Sequence, residues 1–358
     1  FNGYEICCKY VPKHNHRHGG GSGGNKTRKK KMPIAHLFTE HADTEQLAYN
    51  LGAFKVGDEL EFSLKMHGTS QRTGHLKVLT GYKRSIMDRI LHRPGKPVYD
   101  WGYVSGTRRV VLDTFDGGFY GSNEFREQHH NTFVGKLNKG ETVYYEIVGF
   151  VNENTPIMAS VKNSKIKDKE FSKMYGEETV FSYGCDPEGD WEETSVSPDT
   201  FRTVFCEPGI YISTENMPPK CEVYVYRMTM TNDEGDVVEM SPEQMRLRCD
   251  QMGVKYVPVF EKFMIPEKQA TYDNGPFVEI EFVNPGEYVL RKVEQYFDGP
   301  DPIGKTHIRE GVVARIVNRP TIAVYKHKNF NFKVLEGIIK DDASAPDMEE
   351  AQDVMEAE

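Results

Sequence analysis

The residues best able to do chemistry lie in Lys65-Met66-His67-Gly68-Thr69-Ser70, directly after the strand-like run 59–64. A lysine at a strand end, followed by a glycine that lets the backbone turn, suits a lysyl nucleophile aimed at a phosphate. An amine attacks phosphorus only when neutral, which calls for cationic or metal neighbours or for desolvation. Taken alone, K-x-H-G is short, and a surface lysine at a strand-to-turn junction explains it equally well. The rest of the chain adds weight. Glu146 interrupts the apolar VYYEIVGF, and Glu310 opens EGVVARI. Lys326 and Lys328 sit two apart in AVYKHKNF, hence on one strand face. Arg108 and Arg109 lie in VSGTRRVVL. Each charge stands in or beside a core-like strand, where burial without a partner is costly. Several together point to convergence on a charged ligand.

In this order (K-x-H-G, strand-borne Glu, aromatic strand, E-G-V-V, K-x-K) the motifs resemble those of the covalent nucleotidyltransferases. That superfamily includes ATP-dependent RNA and DNA ligases and capping guanylyltransferases. Its usual first motif is K-x-D-G, and the K-x-H-G-T-S form is more similar to the RNA-ligase-2 type of end-joining enzyme. The resemblance covers residues 33–341. It implies that Lys65 takes AMP from ATP as a phosphoramide, that Gly68 permits the close turn, and that His67 supports the nucleotide or a metal-bound phosphate. It implies phosphate or ribose contact by Arg108, with Arg109 a second candidate, and a ribose or metal role for Glu146. Tyr226 falls where the family stacks an aromatic ring on adenine. Glu310 corresponds to the acid that binds catalytic Mg²⁺ or Mn²⁺, and Lys326 and Lys328 to the lysines on the phosphates. Phosphoryl transfer asks mainly for positioning and charge neutralisation, which this set could supply. The same cations would depress the pKa of Lys65. The implied activity is ATP-dependent joining of RNA 5′-phosphate and 3′-hydroxyl ends, a nicked duplex among the candidate substrates, in RNA repair. A DNA ligase, a GTP-dependent capping enzyme and a non-catalytic RNA-end-binding protein are the alternatives. The short stretch after Lys328 lacks the C-terminal OB sequence of the first two.

These residues need a strand-rich frame, and the sequence supplies one. ELEFSLKMHG, HLKVLTGY, RRVVLDTF, TVYYEIVGF, CEVYVYRMTMT, FVEIEFV, EGVVARIV and TIAVYKHK are rich in Val, Tyr, Phe, Ile and Thr. Helices are expected over 44–51 after an Asp43 cap, over 241–252 from Ser-Pro-Glu, over 125–133 and over 260–267. The expected fold is α+β, with antiparallel sheets flanked by helices around a nucleotide cleft. Residues 1–12 read as the end of an upstream module, an OB remnant, in a piece of a longer chain. Residues 13–32 read as a flexible basic linker, 33–340 as the transferase domain with an insert or flap at 152–222, and 341–358 as an acidic tail.

Composition narrows the class further. Of 358 residues 38% are hydrophobic and 28% charged, which excludes a wholly disordered chain. No apolar run is long enough to span a membrane. Six cysteines are too sparse for a disulfide scaffold, so an intracellular, cytoplasmic location is expected. The sequence leaves the oligomeric state open, with a monomer as the expectation. Cys7, Cys8, His14, His16 and His18 match no standard zinc spacing. Net charge is -9, yet residues 1–36 carry +7 and residues 340–358 carry -7. Any nucleic-acid surface must therefore be a local patch. Trp101 and Tyr103 read as packing residues rather than base-stacking ones.

Overall fold

The computed structural model describes residues 37–41, 44–117, 120, 123–152, 155–181, 183, 193–194, 203–207, 210–213, 221–272, 278–305 and 307–337. The expected upstream module, basic linker and acidic tail lie outside these residues. In chain order the elements that build the site begin with β1 (Glu45–Gln46), β2 (Glu59–Lys65), β3 (Thr69–Lys83), β4 (Lys96–Gly106) and β5 (Val111–Leu112). They continue with α1 (Glu124–Phe133), β6 (Glu141–Asn152), β7 (Cys221–Thr231), β8 (Val237–Glu239) and α2 (Pro242–Met252). Then come β9 (Val259–Met264), α3 (Pro285–Val293), β10 (Gly311–Ile316), β11 (Ala323–Lys328) and α4 (Phe330–Leu335).

The smaller sheet runs β1-β11-β10-β2-β9, antiparallel apart from the β1–β11 edge. Strand alternation divides its residues. Leu60 and Phe62 of β2, with Val312, Ala314 and Ile316 of β10, form one core with Val289 and Val293 of α3. Glu61, Ser63 and Lys65, with Val313, Arg315, Val324 and Lys326, line a cleft on the other face. The larger sheet follows β8-β7-β6-β3-β4-β5, with short strands added at Thr155–Pro156 and Lys255–Tyr256. One of its faces carries Val143, Tyr145 and Ile147, in one core with Phe125 and Phe133 of α1. The opposite face turns Glu146, Tyr226 and Arg227 to the same cleft. The expected antiparallel sheets are present.

Helix α2 starts as the sequence indicates. Ser241 accepts from the Gln244 amide, Gln244 reaches back, and Pro242 occupies the first turn. Two expected helices are absent. Residues 44–51 form β1 and a 3-10 turn at Leu47–Tyr49, because β1 pairs with β11 and Leu47 is buried under the small sheet. Residues 259–264 form β9, paired to β2, where the sheet edge overrides a weak helical pattern. RRVVLDTF yields only the two residues of β5. Helix α3, with Asn284 as cap and Pro285 in its first turn, escaped the sequence reading. From the expected insert, Ile157, Ile166, Phe171 and Phe181 are built into the main core.

Candidate active site

Three strands of the small sheet end in register. Gly311 at the start of β10 pairs with Lys65 at the end of β2 and with Lys328 at the end of β11. Glu310, one residue earlier, therefore arrives between the two lysines. Its Oε1 lies 2.6 Å from Lys65 Nζ and 3.0 Å from Lys328 Nζ. Lys328 Nζ also meets Glu336 at 3.0 Å, at the end of α4. Little of these side chains meets water: exposure is 12% for Lys65, which lines the cleft, 3% for Lys328, 4% for Glu336 and 1% for Glu310. Such pairing is what makes four buried charges tolerable. Gly311 is needed for the approach, since a Cβ there would lie 2.2 Å from the His327 carbonyl oxygen. Glu310 was expected at the site as a metal ligand; that it pairs directly with Lys65 was not expected. It holds the amine in an ion pair and stands within hydrogen-bond reach to accept its proton.

His67 lies behind the lysine rather than in the cleft. Its ring meets Phe181 and Phe332 edge-on at centroid distances of 4.5 and 4.9 Å. Its backbone amide donates to the Tyr183 hydroxyl at 2.5 Å. Burial, then the Asp301 and Glu310 carboxylates, push the Tyr183 phenol well above its ordinary pKa. His67 Nδ1 is 3.9 Å from Glu310 Oε2. One ligand atom each from His67, Glu310 and Glu336 lie within 4.8 Å of one another, a mixed nitrogen and carboxylate set able to hold a divalent cation. Glu146, the other expected metal ligand, is not in that group; it faces the cleft. Gly68 turns the chain against β6, where a Cβ would lie 2.3 Å from the Ile147 carbonyl oxygen.

The cleft receives Lys65 and Lys326 from the small sheet, and Arg108, Glu146 and Tyr226 from the large one. Glu146 pairs in register with Ser70 of β3 and with Tyr224 of β7. Tyr226 is the extra residue of a bulge between Val225 and Arg227. The bulge explains why Tyr226 and Arg227 both line the cleft, which strict alternation forbids. The Tyr226 hydroxyl bonds Ser70 Oγ at 2.7 Å, fixing the ring. Arg108 is buried, and its carbonyl accepts a hydrogen bond from the Arg72 guanidinium. Arg109 does not line the cleft.

Four further cleft residues and one acid beside the lysines were missed in the sequence. Arg227 is ion-paired with Glu239, and Arg315 donates to the Met240 carbonyl at 2.8 Å. Arg246 pairs with Glu61 at 2.9 Å. His41 lies 3.2 Å from Arg227 Nη1 and packs edge-on to Tyr226 at 5.0 Å. Burial, then Arg227, Arg108 and Arg72, push the His41 pKa well below its usual value, so its ring stays neutral. Burial likewise lowers Arg315, while the Glu239 carboxylate, against the effect of burial, raises Arg227. Arg315 was reachable from its alternation with Val313; His41 and Glu336 carry no local signal. Among the described residues six cations and two acids line this cleft, and two of the cations, Lys65 and Arg227, are already paired with Glu310 and Glu239. That field suits a polyphosphate.

No family model matches the chain, and no curated protein matches it. Solved structures similar to it include RNA ligases of Naegleria gruberi. A mutant in its apo form is 12% identical, with 86% of this chain and 59% of that chain covered and a TM-score of 0.43. The enzyme with PPi gives 10%, 88%, 63% and 0.41 in the same order. A mutant with ATP and Mn gives 12%, 86%, 60% and 0.42. The chain thus spans about three fifths of the length of those ligases.

Proposed function

We propose that this chain is an ATP-dependent RNA ligase that works through a lysyl-AMP. The observation that carries the reading is the meeting of Lys65, Lys326, Arg108, Glu146 and Tyr226 at one cationic cleft, with Glu310 paired to Lys65 and Lys328 to Glu310. In the first step the Lys65 amine attacks the α-phosphorus of ATP. A P–N bond forms, the α–β P–O bond breaks, pyrophosphate leaves, and Glu310 accepts the amine proton. Lys326 and Arg108 neutralise charge on the phosphates, Lys328 holds Glu310 in place beside Lys65, and Tyr226 stacks on the adenine. A 5′-phosphate oxygen of the RNA then attacks the AMP phosphorus, breaking the P–N bond. A 3′-hydroxyl displaces AMP, closing the phosphodiester. A Mg²⁺ or Mn²⁺ ion, when bound, would supply further positive charge against the phosphates; of the acids named for it, Glu146 faces the cleft, whereas Glu310 and Glu336, with His67, lie outside its lining, and these two acids share the Lys328 ammonium. We read the enzyme as an intracellular, cytoplasmic monomer of RNA repair.

The test is a denaturing gel after incubation with α-labelled ATP or GTP and a divalent metal, with and without pyrophosphate pretreatment. A labelled band with ATP that disappears in Lys65→Ala is expected. Labelling by GTP alone, or persistence of the band in the variant, would overturn the assignment.

A further inference from the structure

We propose that the hairpin formed by β3 and β4 is an RNA-binding arm that holds a stretch of strand remote from the end being joined. The proposal takes the identity of its ligand, RNA, from the proposed function; the surface itself is argued from the hairpin alone. β3 pairs with β6 only from Thr69 to Gly74; from His75 to Lys83 its ladder is made with β4. By strand rise, Lys83 stands roughly 45 Å along β3 from Thr69, beside the nucleophile.

One face of this arm packs inward through Leu76, Val78 and Val104 against Phe38. The other face carries Tyr99, Trp101 and Tyr103 at alternate positions of β4, opposite Leu79, Lys77 and His75; Tyr99 is exposed and Trp101 half-buried, while Tyr103 packs against the main core with its hydroxyl accepting from the Gly135 amide. Their spacing is about 6.7 Å, near twice the ~3.4 Å rise of stacked bases. His75 already stacks on Tyr103, at 4.3 Å and 14°. Beyond it, Lys77 and Lys139 flank the Trp101 ring at 5.7 and 5.5 Å. Lys77 shares its charge with Asp233 at 2.8 Å, and Asp100 is exposed on the same strand.

The tip adds charge of one sign. Lys83, Arg84, Arg89, Arg93 and Lys96 are all exposed. Asp88 is the one acid among residues 83–96, and it is engaged with Ser85 in a capping box. Tyr82 and Tyr99 are 64% and 46% exposed beside these cations. The exposed Tyr82 and Tyr99 and the half-buried Trp101, interleaved with cations, form a stacking platform with phosphate contacts, the pattern that holds single-stranded nucleic acid. The exposed Ile86, Met87 and Ile90 would also suit an anionic lipid surface. A vesicle, however, could touch only the tip, leaving the ladder from Tyr99 to Trp101 unexplained.

The experiment compares the full chain with a variant carrying Lys83→Glu, Arg89→Glu and Arg93→Glu. Fluorescence anisotropy is read with 5′-phosphorylated RNA of about 24 and about 8 nucleotides, over a salt series, and with phosphatidylserine vesicles. The long RNA is expected to bind the variant at least about tenfold more weakly, with a salt slope smaller by about 2. Short-RNA binding and labelling by ATP alone should not change. Equal binding of the long RNA by both proteins would overturn the proposal. So would tip-dependent binding of vesicles with no tip-dependent binding of RNA. Tip-dependent RNA binding in a protein that forms no lysyl-AMP would keep the arm and remove the ligase reading.

Discussion

The two ends of β3 use charge in opposite ways. Beside its start, Lys65, Glu310, Lys328 and Glu336 are packed in a largely buried cluster of alternating sign. At its far end five cations stand in water with one acid among them. The first arrangement fixes geometry at a high desolvation cost that pairing must offset. The second leaves side chains mobile and solvated, so it adds little to stability and remains available to a partner. A positively charged cleft lies at the buried end and a positively charged strip at the exposed one, in a chain that is acidic as a whole.

The sharpest way to break this contrast is to remove one partner from the buried end. Glu310→Ala leaves two ammonium groups without their shared carboxylate. It should lower unfolding free energy by about 3 kcal/mol or more in a denaturant titration. A loss under about 1 kcal/mol would mean that water enters the cluster. Next comes Gly311→Ala, whose Cβ would meet the β11 backbone. The strand end must shift, and both stability and nucleotide labelling should fall, by about 2 kcal/mol in stability. A variant that keeps full labelling would show that the register of Lys65, Gly311 and Lys328 is not critical.

Acid should act on the buried histidines. Burial lowers His129, which also feels Arg126, and His130 to about 4. Each is depressed below its unfolded value of about 6.5, so the unfolded state binds more protons as pH falls. The stability they permit above pH 6.5 is lost between there and about pH 4, at no more than about 2 kcal/mol each by pH 5. Tm should therefore fall from pH 7 to pH 5, and a His129→Gln, His130→Gln variant should flatten that slope. The smallest effect is expected at the exposed end. The three charge reversals at the hairpin tip should change unfolding free energy by under about 0.5 kcal/mol, measured by the same titration.

Much of the site was legible because strand periodicity and glycine placement are local. K-x-H-G, E-G and K-x-K each mark a strand end where a charge meets a turn or a close backbone approach, and the contacts of Gly68 and Gly311 explain those glycines. What could not be read is instructive. Arg227 lines the cleft because of a bulge that alternation does not foresee. Trp101 and Tyr103 were expected to pack: Tyr103 does, against the main core, while Trp101 is half-buried with the Lys77 and Lys139 ammonium groups over its ring.

The sequence by itself determined which segments are strands around the nucleophile, which residues alternate toward one face, and where α2 begins with Ser241 and Pro242. Those follow from side-chain period and capping chemistry within a few residues. Tertiary structure alone decided that residues 44–51 extend rather than coil, that Glu336 joins Lys328, and that His41 is held neutral among arginines. Each depends on partners far away in the chain, where pairing across a sheet and burial outweigh local preference.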